Sequence, residues 1–304
     1  MTRLLVLAVA AVTAAGTLSA QQPPAINATP STSAVLHARS FQPGEVIRMT
    51  ITAPPAVKGA DIRVFDRAWP AYKTNPTTWE ALIGIDLDCK VGPYDIGWTL
   101  QPDSPSAGGA GTSLHKESFK VVEKKFVTRT LTVDDAYVNP PATVQARIEE
   151  EAARLSKLWQ AVTPARLWNA PFAVPVSESP NSAFGSRSVF NGEARSPHSG
   201  ADFPTPAGSP IKAPNAGTVV IAEDLYFSGN TVIIDHGLGL YSQLARMSVI
   251  DVKVGDHVEL GQVVGKVGAT GRVTGPHLHW AIRLGVSRVD PLSLVKVVEN
   301  DSRR

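Results

Sequence analysis

At 304 residues, with 43% hydrophobic and 18% charged side chains, the chain has room for two folded domains behind a leader and is too apolar for wholesale disorder. A formal net charge of +2 gives no electrostatic argument for nucleic acid as a partner and only a weak one for an anionic cell wall. The single cysteine, Cys89, excludes an intramolecular disulfide. It ends the alternating run Ile83–Cys89 and reads as a packing residue, with no base nearby in sequence to make it a nucleophile.

Arg3 precedes an apolar run, Leu4–Val12, and small residues end at Ser19-Ala20 before polar Gln21-Gln22. This is the pattern of a signal peptide over residues 1–20, cleaved after Ala20, with an uncleaved anchor as the alternative. The run is too short for a convincing membrane span, so an exported protein, in the periplasm, the envelope or outside, is expected.

Residues 21–40 are rich in Pro, Ser and Thr and read as a flexible leading segment. Over 41–125, short alternating runs are expected to be strands: Ile47/Met49/Ile51, Ile62/Val64, Ile83/Ile85/Leu87 and Tyr94/Ile96/Trp98/Leu100. Gln42-Pro43-Gly44, Pro54-Pro55, Gly92-Pro93 and the stretch 104–111 punctuate them. The expectation is a small immunoglobulin-like β-sandwich. Its role is left open between wall attachment, partner binding and occlusion of a site. Trp69, Trp79 and Trp98 read as core, with a ligand platform as the alternative.

Residues 126–170 form a linker with one helix near 142–160, where Ile148, Ala152, Leu155 and Trp159 recur at helical spacing. Pro140-Pro141 suits its start and Pro164 lies beyond its end. From 171 to 298 the text is nearly all strand and turn, including 217–222, 231–235, 257–260 and 262–267, which predicts an antiparallel sheet folded on itself.

That last region carries the strongest chemical signal. His198-Ser-Gly-Ala-Asp202 is followed some way on by His277-Leu278-His279. In a strand His277 and His279 project to one side, and the even spacing of His198 and Asp202 does the same in an extended segment. Two histidines and one aspartate fill three positions of a tetrahedral zinc and leave the fourth open, the composition of a catalytic rather than a structural site.

Phe184-Gly185-Ser186-Arg187, His198–Asp202, Gly229–Gly237, Val252–Gly268 and Gly271-Arg-Val-Thr-Gly275-Pro276-His277-Leu278-His279 together resemble the lysostaphin/LytM-type peptidoglycan endopeptidases over about residues 180–295. The resemblance implies one zinc ion held by His198, Asp202 and His279. It implies that His277 flanks the reacting water, and that peptidoglycan stem or bridge peptides are the substrate. One position departs. The family carries a further histidine in a Tyr-x-x-x-x-His context, and here Tyr241 is followed by Arg246 at that place. Arginine has no acceptor, so it cannot take a proton, but it can donate to an oxyanion.

A fixed cation there should also weaken metal binding. The expectation is an exported zinc metalloendopeptidase, slowed by this exchange, with His277 moving protons and Arg246 steadying the oxyanion. The alternative is a catalytically silent zinc-binding regulator or activator of another wall hydrolase. Tyr241 and Arg195 are groove candidates. His236 reads as a turn residue with a substitute base as the alternative, and His257 as solvated.

Overall fold

The computed structural model describes residues 31–103, 113–131, 140–181, 183–190, 192–194, 196–273 and 275–299. The leader, residues 1–20, and Arg195 lie outside them. Eight strands build the N-terminal part: β1 (Ser33–Ala38), β2 (Val46–Thr52), β3 (Val57–Val64), β4 (Arg67–Trp69), β5 (Ala71–Asn75), β6 (Thr78–Gly84), β7 (Gly92–Pro102) and β8 (His115–Val121). They pair as two antiparallel four-stranded sheets, ordered β1-β2-β6-β5 and β4-β3-β7-β8. The alternating residues Ile47, Met49, Ile51, Ile62, Ile96, Trp98 and Leu100 are all buried in a common core. This is the sandwich expected from the alternation. Trp69, Trp79 and Trp98 are buried within it, so none offers an exposed platform.

One boundary is corrected. Residues 33–38, expected within a flexible segment, form β1, paired over its whole length with β2. Ala34, Leu36 and Ala38 pack on the core, which repays the ordering of this edge strand. Cys89 lies beyond the end of β6, partly buried, with Sγ 3.6 Å from the Tyr94 hydroxyl.

The linker contributes β9 (Thr128–Leu131) and α1 (Gln145–Gln160), the latter led by a short 3₁₀ turn at 142–144. Then come β10 (Arg187–Phe190), β11 (Glu193–Ala194), β12 (Gly200–Phe203), β13 (Pro210–Lys212), β14 (Gly217–Leu225), β15 (Gly229–Gly237), β16 (Leu240–Ile250), β17 (His257–Val258), β18 (Val263–Val267), β19 (Leu278–Leu284), β20 (Ser287–Val289) and α2 (Pro291–Glu299). Nine of these strands form one sheet with the path β12-β19-β16-β15-β14-β17, to which β13, β18 and β20 attach. β9 pairs in parallel with β10, so the linker is woven into the segment that leads to His198.

The two faces of the large sheet differ. On one, Phe203, Leu244, Leu278, Trp280 and Ile282 are fully buried in the main core. On the other, α1 lays Trp159, Leu155 and Leu158 against Ile221, Ile233 and Tyr241. Register puts Tyr241, Gln243, Ala245, Arg283, Ala281 and His279 on this second face. The helix therefore covers one end of the face and leaves the other end to the histidines.

Helix α2 was not legible from periodicity. Its start is nevertheless written in the sequence: Asp290 accepts the Leu292 amide at 3.0 Å as an N-cap, and Pro291 opens the helix. Leu294 and Val297 are buried, each worth about 1.5–3 kcal/mol when fully withdrawn from water. The helix also joins the two parts of the molecule. Val46 N donates to Ser293 Oγ at 2.9 Å, Arg39 bridges Glu45 and Asp290, and Arg288 pairs with Asp86 and Asp88, each at 2.7 Å.

Candidate metal centre

Strand pairing builds the site. Asp202 on β12 sits opposite His279 on β19, and His279 opposite Ala245 on β16, so all three side chains share a face. His277 precedes β19 and pairs with Gly268. His198 precedes β12, in a loop pinned by Gly185 N to His198 O at 2.7 Å and His198 N to Ser186 O at 2.9 Å. Gly200 permits the approach: a Cβ there would lie 2.9 Å from the His279 ring and 2.5 Å from the Trp280 carbonyl.

Three donor atoms converge. His198 Nε2 lies 3.0 Å from Asp202 Oδ1 and 3.1 Å from His279 Nδ1, and His279 Nδ1 lies 2.9 Å from Asp202 Oδ1. Zinc bonds of 2.0–2.1 Å in a tetrahedron space their ligands about 3.3 Å apart, so an expansion of a few tenths of an ångström would bring this triangle to the edge of a zinc site. His198 Nδ1 lies 3.2 Å from the Ala183 carbonyl, which accepts a hydrogen bond from Nδ1–H in the tautomer that leaves Nε2 as a lone pair. Two acceptors 3.0 Å apart repel unless a cation lies between them. The donor set fits a divalent metal, and its nitrogen and carboxylate chemistry suits zinc.

Electrostatics agree. Burial alone would raise the Asp202 carboxyl, yet the adjoining His198 and His279 imidazoles, which donate to it and carry positive charge whenever they are protonated on the facing nitrogen, hold it well below the usual carboxylate range. Burial pushes the His279 imidazole down to about 4; the bond to Asp202 opposes this, and the charges of His198 and Arg246 add to it. The side chains of His198, Asp202, His277 and His279 remain 13–22% exposed, so the centre opens to solvent on one side.

Two further groups flank it. His277 Nε2 stands 3.8 Å from Asp202 Oδ1, while its Nδ1 lies 2.9 Å from the Gly275 carbonyl. With the proton on Nδ1, Nε2 faces the centre as an acceptor. Arg246 occupies a bulge in β16, at φ 75, where Leu244 pairs with Val232 and Met247 with Asn230. A left-handed backbone at a non-glycine residue costs about 1–2 kcal/mol, which the surrounding strands impose. Its Nη1 donates to the Phe227 carbonyl, and its buried Nε has no hydrogen-bond partner among the described residues. Burial pushes the guanidinium down to about 10, with Asp202 opposing and Arg272 reinforcing.

Other candidates are distributed differently. Tyr241 does not line the groove: it is 1% exposed, its hydroxyl donates to the Ala161 carbonyl at 2.9 Å, and its ring meets Trp159. It shares the site's face, but α1 lies over it. His236 is a fully buried strand residue, with Nδ1 2.7 Å from the Ala216 carbonyl and Nε2 2.8 Å from Ser242 Oγ. It is neither a turn residue nor a base for this site. His257 is exposed.

Sequence reasoning passed over the turn at 226–228. Its Phe227 carbonyl accepts from both Arg246 Nη1 and the Arg272 amide, and Gly229 presses on Thr270 and Gly271. The signal was the pair of glycines, Gly229 at φ 66 and Gly271 at φ 73.

The profile of peptidase family M23 matches residues 196–291, which enclose His198, Asp202, Arg246, His277 and His279. A crystal structure of a Pseudomonas aeruginosa protein assigned to peptidase M23 is 32% identical over 85% of this chain and 96% of that one, with a TM-score of 0.65. The chain belongs to peptidase family M23. Within the family, residues of this chain are 40% identical to peptidoglycan DD-endopeptidase ShyA of Vibrio cholerae over 100 residues, 33% of this chain and 23% of that protein. They are 37% identical to the DD-carboxypeptidase/endopeptidase Mpg of Neisseria meningitidis over 97 residues, 32% of this chain and 22% of that protein. The match spans less than a quarter of the length of each of these two relatives. Among the described residues no helix is long and apolar enough to cross a membrane.

Proposed function

We propose that this protein is an exported zinc metalloendopeptidase that hydrolyses the peptide cross-links of peptidoglycan. The observation that carries the reading is the convergence of His198 Nε2, Asp202 Oδ1 and His279 Nδ1 within about 3 Å, beside an acceptor nitrogen of His277. When bound by these three residues, zinc supplies Lewis acidity to the scissile carbonyl and lowers the pKa of water. His277 then takes the proton of the attacking water on Nε2 and returns it to the leaving amine; its hydrogen bond to Gly275 fixes the tautomer for both steps. Arg246 cannot share that proton traffic. It steadies the developing oxyanion through its guanidinium charge and the buried Nε–H. With one base where the family pattern has two histidines, turnover is slowed rather than abolished. The leader at residues 1–20 supports export, and the named activities of the V. cholerae and N. meningitidis relatives support the substrate class.

A second reading has one observation behind it. Arg246 Nη1 is engaged by the Phe227 carbonyl, so part of the guanidinium is turned away from a substrate, as befits a silent zinc-binding regulator of another wall hydrolase. The two separate on release of soluble fragments from purified cell walls by the zinc-loaded mature protein. Release that a chelator stops and added zinc restores supports the enzyme. No release from protein carrying one zinc per chain contradicts it.

A further inference from the structure

Two of the three proposed ligands are placed by the large sheet, where Asp202 on β12 and His279 on β19 face each other across a strand pair. His198 is placed differently. It lies before β12 in a loop, and its position depends on the segment 183–186. Three contacts fix it there. Gly185 N donates to His198 O at 2.7 Å, His198 N donates to Ser186 O at 2.9 Å, and His198 Nδ1 lies 3.2 Å from the Ala183 carbonyl. Both the backbone and the ring of this histidine are therefore only as fixed as residues 183–186.

That segment is held from outside the large sheet. The Phe126 ring lies directly on Gly185, where a Cβ would stand 2.0 Å from Phe126 Cε1 and 2.3 Å from Cδ1. One residue earlier, Phe184 is 4% exposed and its ring lies on Gly44, in the turn before β2, where a Cβ would stand 2.2 Å from Phe184 Cε1. Both glycines also have left-handed backbones, at φ 81 and φ 87, so each position needs the missing side chain twice over. The linker continues the grip: Arg187 N donates to Val127 O at 2.8 Å, and β9 pairs with β10.

The two contacts belong to one frame. Lys124 Nζ lies 5.5 Å over the Phe126 ring and 2.9 Å from Glu45 Oε1, and Glu45 pairs with Arg39, which also reaches Asp290. The Gly44 carbonyl accepts from Asp290 N at 2.7 Å. A ligand carried on a loop binds metal weakly unless the loop is already ordered, because ordering it during binding subtracts from the affinity.

We propose that Phe126 is a positioning residue for the metal centre: its ring clamps Gly185 and so holds His198 in reach of Asp202 and His279. The linker, backed by the N-terminal sandwich, is then a structural part of the zinc site. This rests on the reading of His198 as a zinc ligand and adds to it the residues that keep the ligand in place.

The test measures zinc affinity of the full chain by competition with a chromogenic chelator, with melting of the metal-free protein followed alongside. Phe126→Ala weakens zinc binding about tenfold, the effect of losing a contact behind a ligand. Phe126→Leu, which refills part of the volume, weakens it about threefold. Ile96→Val loosens the sandwich core away from the site, lowering the melting temperature while zinc affinity stays within about twofold of native. Native affinity in Phe126→Ala overturns the positioning role, and so does equal weakening by Ile96→Val, which would make the effect one of general stability. If Phe126→Ala fails to fold, Phe126→Leu decides: a threefold loss supports the role and native affinity overturns it. A native protein that takes up no zinc overturns the metal-centre reading and this inference with it, a failure visible before any variant is compared.

Discussion

His236 and His279 lie on strands of the same sheet, the first fully buried and the second largely so, and both are pushed down to about 4, yet only one belongs to the proposed metal centre. His236 has a partner for each nitrogen, a backbone carbonyl and a hydroxyl, and its neutral form is satisfied there. His279 instead brings Nδ1 to a point already crowded by a carboxylate oxygen and a second imidazole. Burial is the largest cause of both shifts; what the lone pair converges on sets the role. A depressed imidazole is thus a marker of a dry place, and function has to be read from the partners.

That contrast orders the tests. Asp202→Ala removes the charge on which both site imidazoles converge; zinc affinity should fall by more than about a hundredfold and wall hydrolysis should vanish, read by zinc content and fragment release. Retained stoichiometric zinc would break the comparison. His277→Gln should keep zinc and lose about 10²–10³-fold in kcat, because only proton transfer is removed. An equal loss of zinc would make His277 a ligand instead.

His236→Gln tests the other member of the pair. It should cost about 1–3 kcal/mol in urea unfolding, since Ala216 O or Ser242 Oγ loses its partner, while zinc content stays at the native level. The pH dependence sharpens this. With a folded value near 4 and an unfolded one near 6.5, the unfolded chain binds the extra proton first, so stability is lost as pH falls through that window. The loss attributable to His236 is roughly 3 kcal/mol, and the metal-free variant should show a correspondingly shallower slope than the metal-free native protein. Parallel slopes would contradict its neutral burial. Arg246→His, the smallest expected gain, should raise turnover about tenfold by restoring a second proton carrier, at the expense of the bond to Phe227.

The sequence was most legible where chemistry and periodicity coincide. The alternation Tyr94/Ile96/Trp98/Leu100 is β7, and the proposed metal ligands stand out because histidines and an aspartate in strand spacing have few other uses. β1 was obscured because its Ala34/Leu36/Ala38 alternation sits in a stretch of Ser, Thr and Pro. Tyr241 was misplaced because the helix that covers it lies some eighty residues earlier, and no local pattern announces that packing. The Phe227 carbonyl escaped for a different reason: a backbone oxygen has no letter in the sequence. Only the glycines at 229 and 271 betray the close approach that puts it in place.

The most direct measurement is mass spectrometry of purified cell walls digested by the zinc-loaded mature protein beside Asp202→Ala. New uncross-linked stem peptides from the native protein alone are the predicted result, and their termini identify the bond cut. Walls left cross-linked by zinc-replete native protein would contradict the peptidase and leave a zinc-binding regulator in its place.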